Sequence, residues 1–122
     1  MTRFREIQMY ETEADKAPVA EFIETIRVQA VRARIMKVFE MVEQLQHPPP
    51  NFLKKLTGGG DIWEVRAITH HQSFRFLGFY DGQRLILTNG FAKQTDKTPS
   101  REIDLAKRRK GMYFSGQREL RL

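Results

Sequence analysis

Apolar positions in the first half of the chain recur at helical spacing. One series follows Pro18, which suits the first turn of a helix because its missing N–H costs nothing there; it comprises Val19, Phe22, Ile23 and Ile26. A second series takes alternating steps of four and three residues, at Val31, Ile35, Val38, Val42 and Leu45. Both predict amphipathic helices. Whether one helix runs through or two meet near residues 27–29 stays open, and Pro48-Pro49-Pro50 end the helical region.

The pattern changes after three glycines, Gly58-Gly59-Gly60, which predict a turn. They do not form a phosphate-binding loop, because the Lys-Ser/Thr ending and the following helix are missing. Asp81-Gly82 predicts a tight hairpin, and Pro99 opens a last helix. The predicted strands are Phe4 to Tyr10, Asp61 to Ile68, Ser73 to Tyr80 and Arg84 to Ala92.

The resulting order, β-α(α)-β-β-β-α, predicts an α+β fold. We expect an antiparallel sheet with the helices packed on one of its faces. A length of 122 residues suits a single domain over residues 1–122. Residues 115–122 are expected to form a flexible tail.

Two predicted turns align charged residues across the sheet. A symmetric hairpin near His70-His71 places Arg66 directly opposite Arg75, with Glu64 on the same face. An Asp81-Gly82 turn would pair Tyr80 with Gln83, and so Arg75 with Thr88. Because like charges opposite each other are unfavourable in a sheet, the pair predicts either a phosphate site or a salt-bridge cluster around Glu64. Geometry alone slightly favours the cluster.

The formal net charge of +6 is concentrated near the carboxyl end, because residues 93–122 carry nine basic and four acidic side chains. A basic surface attracts nucleic acid, although a solubilising tail explains the charge equally well. The absence of cysteine excludes disulfides and thiolate metal sites and permits a reducing cytosol. We expect no membrane span, because no apolar run approaches about 18 residues, and no secretory signal, because the first residues form no apolar segment.

Several short motifs occur in a familiar order: Leu53-Lys54-Lys55-Leu56 before the glycines, Trp63-Glu64-Val65-Arg66, Phe74-Arg75, and the segment 87–99 with Lys93 and Lys97-Thr98-Pro99. In this order the chain resembles the RelE/HigB toxin superfamily, specifically its phage-related Gp49-like branch. The resemblance spans most of residues 4–113. It implies a RelE-like fold and a cytoplasmic toxin of a type II toxin–antitoxin pair. Such a toxin cuts mRNA on the ribosome and is neutralised by an antitoxin, often one with a helix-turn-helix domain.

The residues suit metal-independent RNA cleavage without a cofactor. The 2′-hydroxyl attacks the adjacent phosphate, so the transition state gains negative charge that positioned cations stabilise. Arg66 and Arg75 are the candidates for holding the phosphate oxygens. Lys93 or Lys97 is the candidate for proton transfer, since a lysine crowded by other cations has a lowered pKa. Without the resemblance, each lysine would be interpreted as a solvated turn residue.

Further basic residues are candidates for binding the RNA backbone: Lys54, Lys55, Lys107, Arg108, Arg109 and Lys110. The last four are consecutive and span all sides of a helix, so they cannot all contact one partner. A solvated helix end, favoured by the helix dipole, explains them nearly as well.

Some positions depart from relatives and keep a second function open. Asn89 and Gln94 occupy positions where relatives carry histidine and lysine, which favours a catalytically inactive, phage-derived nucleic-acid-binding or accessory protein. His71 is a minority candidate for catalysis, and Tyr113 is expected to pack rather than to stack on a base. A metal-dependent enzyme has little support, because no His/Asp/Glu cluster has ligand spacing.

Overall fold

A computed structural model of the chain describes residues 3–70, 72–93 and 97–120, with side chains described as far as Gly116. It contains helices before and after a run of four strands, which confirms the predicted α+β class. The helices are α1 Pro18–Glu24, α2 Gln29–Gln44 and α3 Ser100–Leu120. The strands are β1 Glu6–Met9, β2 Leu53–Lys55, β3 Trp63–Ile68, β4 Ser73–Asp81 and β5 Arg84–Lys93.

The helical region divides into two helices, which resolves the question that the sequence left open. Helix α1 ends at Glu24, and α2 begins at Gln29. The side chain of Arg32 donates to the carbonyl of Ile26 in the link between them. This contact satisfies a backbone acceptor beyond the end of α1, where no helical partner is present. The buried stripe of α2 consists of Ile35, Val38, Phe39 and Val42.

The strands form one sheet in the order β1-β5-β4-β3-β2. Strand β1 pairs with β5 in parallel, with Ile7 opposite Leu85, whereas the other neighbours are antiparallel. The sheet is therefore mixed in this one pairing. The sequence did not predict β2, since three residues are too few to show an alternation.

The helices cover both faces of the sheet, so the expectation of a single covered face is wrong. Helices α1 and α2 pack on the face that carries Phe76 and Leu87. On the opposite face, Ala106 of α3 packs with Leu77 and Phe79. Strand alternation places these apolar side chains opposite the main core, and leaving them in water would be unfavourable. A second helical layer is the consequence.

The hairpin between β4 and β5 turns at Gly82-Gln83, one residue later than predicted. Asp81 lies opposite Arg84, and the two form a salt bridge of 2.8 Å. Gly82 has a φ of +60°, whereas Gln83 has no positive φ. A positive φ at only the first turn residue is typical of a type II′ turn, which favours glycine there. The predicted pairing of Tyr80 with Gln83 is wrong, and Tyr80 pairs with Leu85.

A β-bulge in β5 shifts the register again. Gly78 lies opposite Leu87 and Leu77 lies opposite Asn89, so Thr88 is the additional residue. A Cβ on Gly78 would lie 2.2 Å from the Ile86 carbonyl oxygen, which restricts this close approach to glycine. Arg75 therefore lies opposite Phe91, not opposite Thr88 as predicted.

The bulge decides which side chains of β5 reach the face covered by α3. Because side chains alternate between the two faces of a sheet, one inserted residue moves every later side chain of the strand to the opposite face. With Thr88 inserted, Lys93 lies opposite Ser73 and shares a face with Arg75. Strict alternation from Leu87 would have placed Lys93 on the opposite face.

Helix α3 extends to Leu120, beyond the point where the sequence predicted a tail at residues 115–122. Gln117 to Leu120 are good helix formers, which suits this extension. Within the part of the chain that the structure describes, no helix has the length and apolar character needed to cross a bilayer.

Candidate nucleic-acid site

Arg66 and Arg75 lie directly opposite each other on β3 and β4, which confirms the predicted pairing. Oε1 of Glu64 accepts hydrogen bonds from both, from Nε of Arg66 at 2.8 Å and from Nη1 of Arg75 at 3.0 Å. The Glu64 side chain is fully buried. The pair therefore lies in the salt-bridge cluster that geometry alone favoured, and the shared carboxylate offsets its like-charge repulsion.

Two residues of the next row extend this cluster. The hydroxyl of Ser73 accepts a hydrogen bond of 2.9 Å from Nε of Arg75, and Lys93 lies opposite Ser73 on β5. Arg75 is 7% exposed and Lys93 is 6% exposed. Charged side chains are rarely so buried without partners. Both residues have further interactions.

The segment before α3 is attached to the same carboxylate. The hydroxyl of Thr98 donates to Oε2 of Glu64, so both oxygens of Glu64 are used. Lys97 directly precedes Thr98 and has an exposed side chain. The structure thus brings Arg66, Arg75 and Lys93 to one face and places Lys97 at its border.

Lys54 and Lys55 separate onto different sides of β2. Lys54 pairs with Glu64, which places it on the face of the arginines, and its side chain is exposed. Lys55 pairs with Trp63 and forms a 2.8 Å salt bridge with Asp61. Only Lys54 therefore extends the arginine cluster.

Lys55 belongs to a second basic group at the turn that contains the three glycines. Lys107 and Lys110 of α3 donate to the carbonyls of Gly58 and Gly60 at 3.4 and 3.1 Å. The pKa of Asp61 lies below its usual value, because Lys55 donates a hydrogen bond to it and the charges of Lys55 and Lys110 favour its ionised form. We call Lys55, Lys107 and Lys110 the turn lysines.

The two arginines between these lysines differ in their surroundings. Arg108 is exposed. Arg109 donates to the carbonyl of Thr88 at 2.7 Å, and its guanidinium lies 5.8 Å from the centre of the Tyr10 ring. Arg109 thus anchors the bulge of β5 to α3.

Asn89 serves the same junction. Its Nδ2 donates to the Glu102 carbonyl at 3.2 Å and to Glu102 Oε1 at 3.0 Å. Tyr113 packs on Phe79 and donates to Asp81, which confirms that it packs. His71 and Gln94 lie outside the described residues.

The electrostatics of the cluster follow from its burial and its cations. Burial raises the pKa of Glu64, but the hydrogen bonds from Thr98 and Arg66 and the charges of Arg75 and Arg66 outweigh it, so the pKa lies below its usual value. Glu64 is therefore ionised at neutral pH. Glu64, Arg66, Arg75, Lys93 and Lys54 together carry a formal charge of +3.

Ser73 and Thr98 are the two members of the cluster that the sequence did not indicate. Ser73 precedes Arg75 by two residues, so alternation alone puts both on one face. Thr98 carries no such signal, since its contact with Glu64 spans 34 residues. Among the side chains of residues 3–70, 72–93 and 97–116, no three from His, Asp or Glu lie close enough together to hold a metal ion.

Comparisons with known proteins identify a family. No curated protein matches the chain. The family described as Phage derived protein Gp49-like (DUF891) matches residues 21–111, a range that begins within α1, contains α2 and β2 to β5, and ends in the first half of α3. That range includes every charged residue of the cluster around Glu64. The chain therefore belongs to the Gp49-like family of phage-derived proteins.

Proposed function

We propose that this protein is a toxin of the RelE/HigB superfamily, a ribosome-dependent mRNA endoribonuclease of a type II toxin–antitoxin system. The observation that carries the proposal is the opposed pair Arg66 and Arg75 with a shared carboxylate. Lys54 and Lys93 lie on the same face. Five charged side chains from four strands lie together on this face, beside the apolar Leu77 and Phe91.

The stability of the fold alone does not explain why these charged residues are grouped together. Two cations placed opposite each other repel, and replacing a buried ion pair by apolar residues of similar volume is often neutral or stabilising. A site for a phosphodiester gives a reason for keeping the cations. The planar forks of two arginines match the geometry of phosphate oxygens.

The proposed reaction needs no cofactor and no metal ion. The 2′-hydroxyl loses its proton to a base, and its oxygen attacks the adjacent phosphorus. The bond from phosphorus to the 5′-oxygen breaks, that oxygen takes up a proton, and a 2′,3′-cyclic phosphate remains. Arg66 and Arg75 stabilise the charge that develops on the non-bridging oxygens. Lys93 or Lys97 transfers the proton.

The remaining basic residues are assigned to binding. Lys54 extends the cluster to the sheet edge, and the turn lysines with Arg108 form a second contact for the backbone of mRNA or ribosomal RNA. Such contacts depend on charge and shape rather than on sequence. Arg109 has a smaller share in this surface, because its guanidinium is bound to the Thr88 carbonyl.

The proposed substrate, mRNA on the ribosome, implies a cytoplasmic location for the protein. A toxin of this kind requires a cognate antitoxin, and we propose one with a helix-turn-helix domain. Co-expression with the product of a neighbouring reading frame tests this: relief of growth arrest and co-purification are expected, and arrest that no neighbouring product relieves contradicts it.

One observation favours a second candidate, a catalytically inactive nucleic-acid-binding or accessory protein of the same fold. Asn89 is buried and bound to Glu102. The position at which relatives carry a histidine therefore contributes neither an acid nor a base. Proton transfer would then depend on the two lysines alone.

The two candidates differ in what happens to mRNA after induced expression. The toxin predicts growth arrest and new mRNA 5′ ends in phase with codons. Arg75→Gln should abolish the cuts, whereas Arg84→Gln, which removes an arginine charge far from the cluster, should leave them unchanged. Intact mRNA after expression of folded wild-type protein would contradict the toxin and favour the accessory protein.

A further inference from the structure

We infer that Glu64 is a positioning residue for the proposed cleavage: it holds the guanidinium groups of Arg66 and Arg75 in the orientation that receives the phosphate. The inference rests on the proposed function, and it assigns Glu64 no contact with RNA. It differs from the simpler view in which Glu64 only neutralises a buried charge.

The hydrogen-bond geometry fixes the orientation of each arginine. Arg66 approaches Glu64 through Nε at 2.8 Å. Arg75 donates Nη1 to Glu64 at 3.0 Å and Nε to the Ser73 hydroxyl at 2.9 Å. A planar guanidinium bound at one edge cannot turn without breaking that bond. Glu64 thereby decides in which direction the other nitrogens of Arg66 point.

Glu64 also joins the arginines to the segment that carries Lys97. Its second oxygen accepts the hydroxyl of Thr98, the next residue in the chain. One buried side chain therefore links β3, β4 and the turn before α3. A catalytic arrangement loses rate steeply when its members shift by about 1 Å, roughly 100-fold in some enzymes.

A negative charge at this point has opposite effects on binding and on rate. It reduces the positive field that attracts a phosphate, while it orders the groups that stabilise the transition state. Removing the charge should therefore leave RNA affinity unchanged or increase it, and should lower the cleavage rate. A purely structural role would lower both in proportion to the folded fraction.

The first test compares Glu64→Gln with the wild-type protein. Single-turnover cleavage of ribosome-bound mRNA should fall roughly 10- to 100-fold. The affinity for a short single-stranded RNA, measured by fluorescence anisotropy, should be equal or higher. A wild-type rate in Glu64→Gln would overturn the inference, as would a loss of affinity parallel to the loss of rate.

Two variants of Thr98 provide a test that does not require the Glu64→Gln protein to fold. Thr98→Val removes the hydroxyl and keeps the shape, so the rate should fall with affinity retained. Thr98→Ser restores the hydroxyl and should restore most of the rate. Equal rates in the valine and serine variants would contradict the proposed link to Lys97.

A spectroscopic readout separates this inference from the proposed function. In ¹⁵N-labelled protein, the Nε–H signals of Arg66 and Arg75 should be resolved and slow to exchange in the wild type, and should shift and broaden in Glu64→Gln. If wild-type protein cleaves no mRNA, the proposed function fails, and unchanged Nε–H signals would reject the positioning by Glu64 independently. The signal of Arg84, remote from the cluster, is the internal control.

Discussion

Arg66 lies directly opposite Arg75 on the neighbouring strand, and both guanidinium groups donate to the same oxygen of Glu64. Repulsion between the arginines is thus offset by one buried carboxylate. The arrangement keeps two cations together on a sheet face, with Lys54 and Lys93 beside them. Removing the carboxylate leaves buried charge uncompensated, which typically costs about 3–5 kcal/mol.

The contribution of Glu64 to stability should depend on pH. Its pKa is lowered in the folded protein, so the stabilisation is complete above its unfolded pKa of about 4.3 and is lost as pH falls through the lower folded pKa. Each unit of lowering corresponds to about 1.4 kcal/mol. Urea unfolding of the wild type and Glu64→Gln should therefore show a constant difference from pH 7 to about pH 5 that narrows at lower pH. If the difference in unfolding free energy between the wild type and Glu64→Gln stayed constant down to pH 3, this explanation would be wrong. Glu13→Gln is the control, because it removes an exposed carboxylate.

The bulge of β5 should depend on its anchor in α3. Arg109→Met keeps the aliphatic stem and removes the donor to the Thr88 carbonyl, so the free energy of unfolding should fall by about 1–3 kcal/mol. Arg108→Met, at the exposed neighbour, should change it by less than about 0.5 kcal/mol. Chemical denaturation measures both. Equal effects of the two substitutions would exclude a special role for the contact with Thr88.

The turn lysines should contribute to RNA binding through charge. Replacing Lys55, Lys107 and Lys110 by alanine should weaken binding of single-stranded RNA. It should also make the dependence of log Kd on log salt concentration shallower, by about 0.7 for each phosphate that the variant no longer neutralises. The control variant replaces Lys16, Arg34 and Lys37, which are exposed elsewhere, and removes the same charge. An equal change in the control variant would show that the net charge of the protein, and not the position of the turn lysines, governs RNA binding.

The pairing of Arg66 with Arg75 could be predicted because it depends on local information. Strand β4 follows β3 after only a few residues, so side-chain alternation and one short connection determine the register of the two strands. The same reasoning predicted that Glu64 shares the face of the arginines. These three residues are the part of the site that the sequence alone reveals.

The position of Lys93 could not be predicted in this way. It depends on the inserted Thr88, which exchanges the faces of β5, and on contacts of Thr88 and Asn89 with a helix more than ten residues further along the chain. The same applies to the layer formed by α3. The apolar residues Leu77 and Phe79 indicate that another element packs on the second face of the sheet. The sequence around them does not identify that element as α3.

In the proposed reaction, Arg66 and Arg75 hold the phosphate that is cleaved. The decisive experiment measures single-turnover cleavage of mRNA on programmed ribosomes by the wild type, Arg66→Ala and Arg84→Ala. Arg66 is the better choice because its side chain is less buried than that of Arg75. The account predicts a rate reduced about 10²- to 10³-fold in Arg66→Ala and unchanged in Arg84→Ala. A wild-type rate in folded Arg66→Ala, or no cleavage by the wild-type protein, would contradict it.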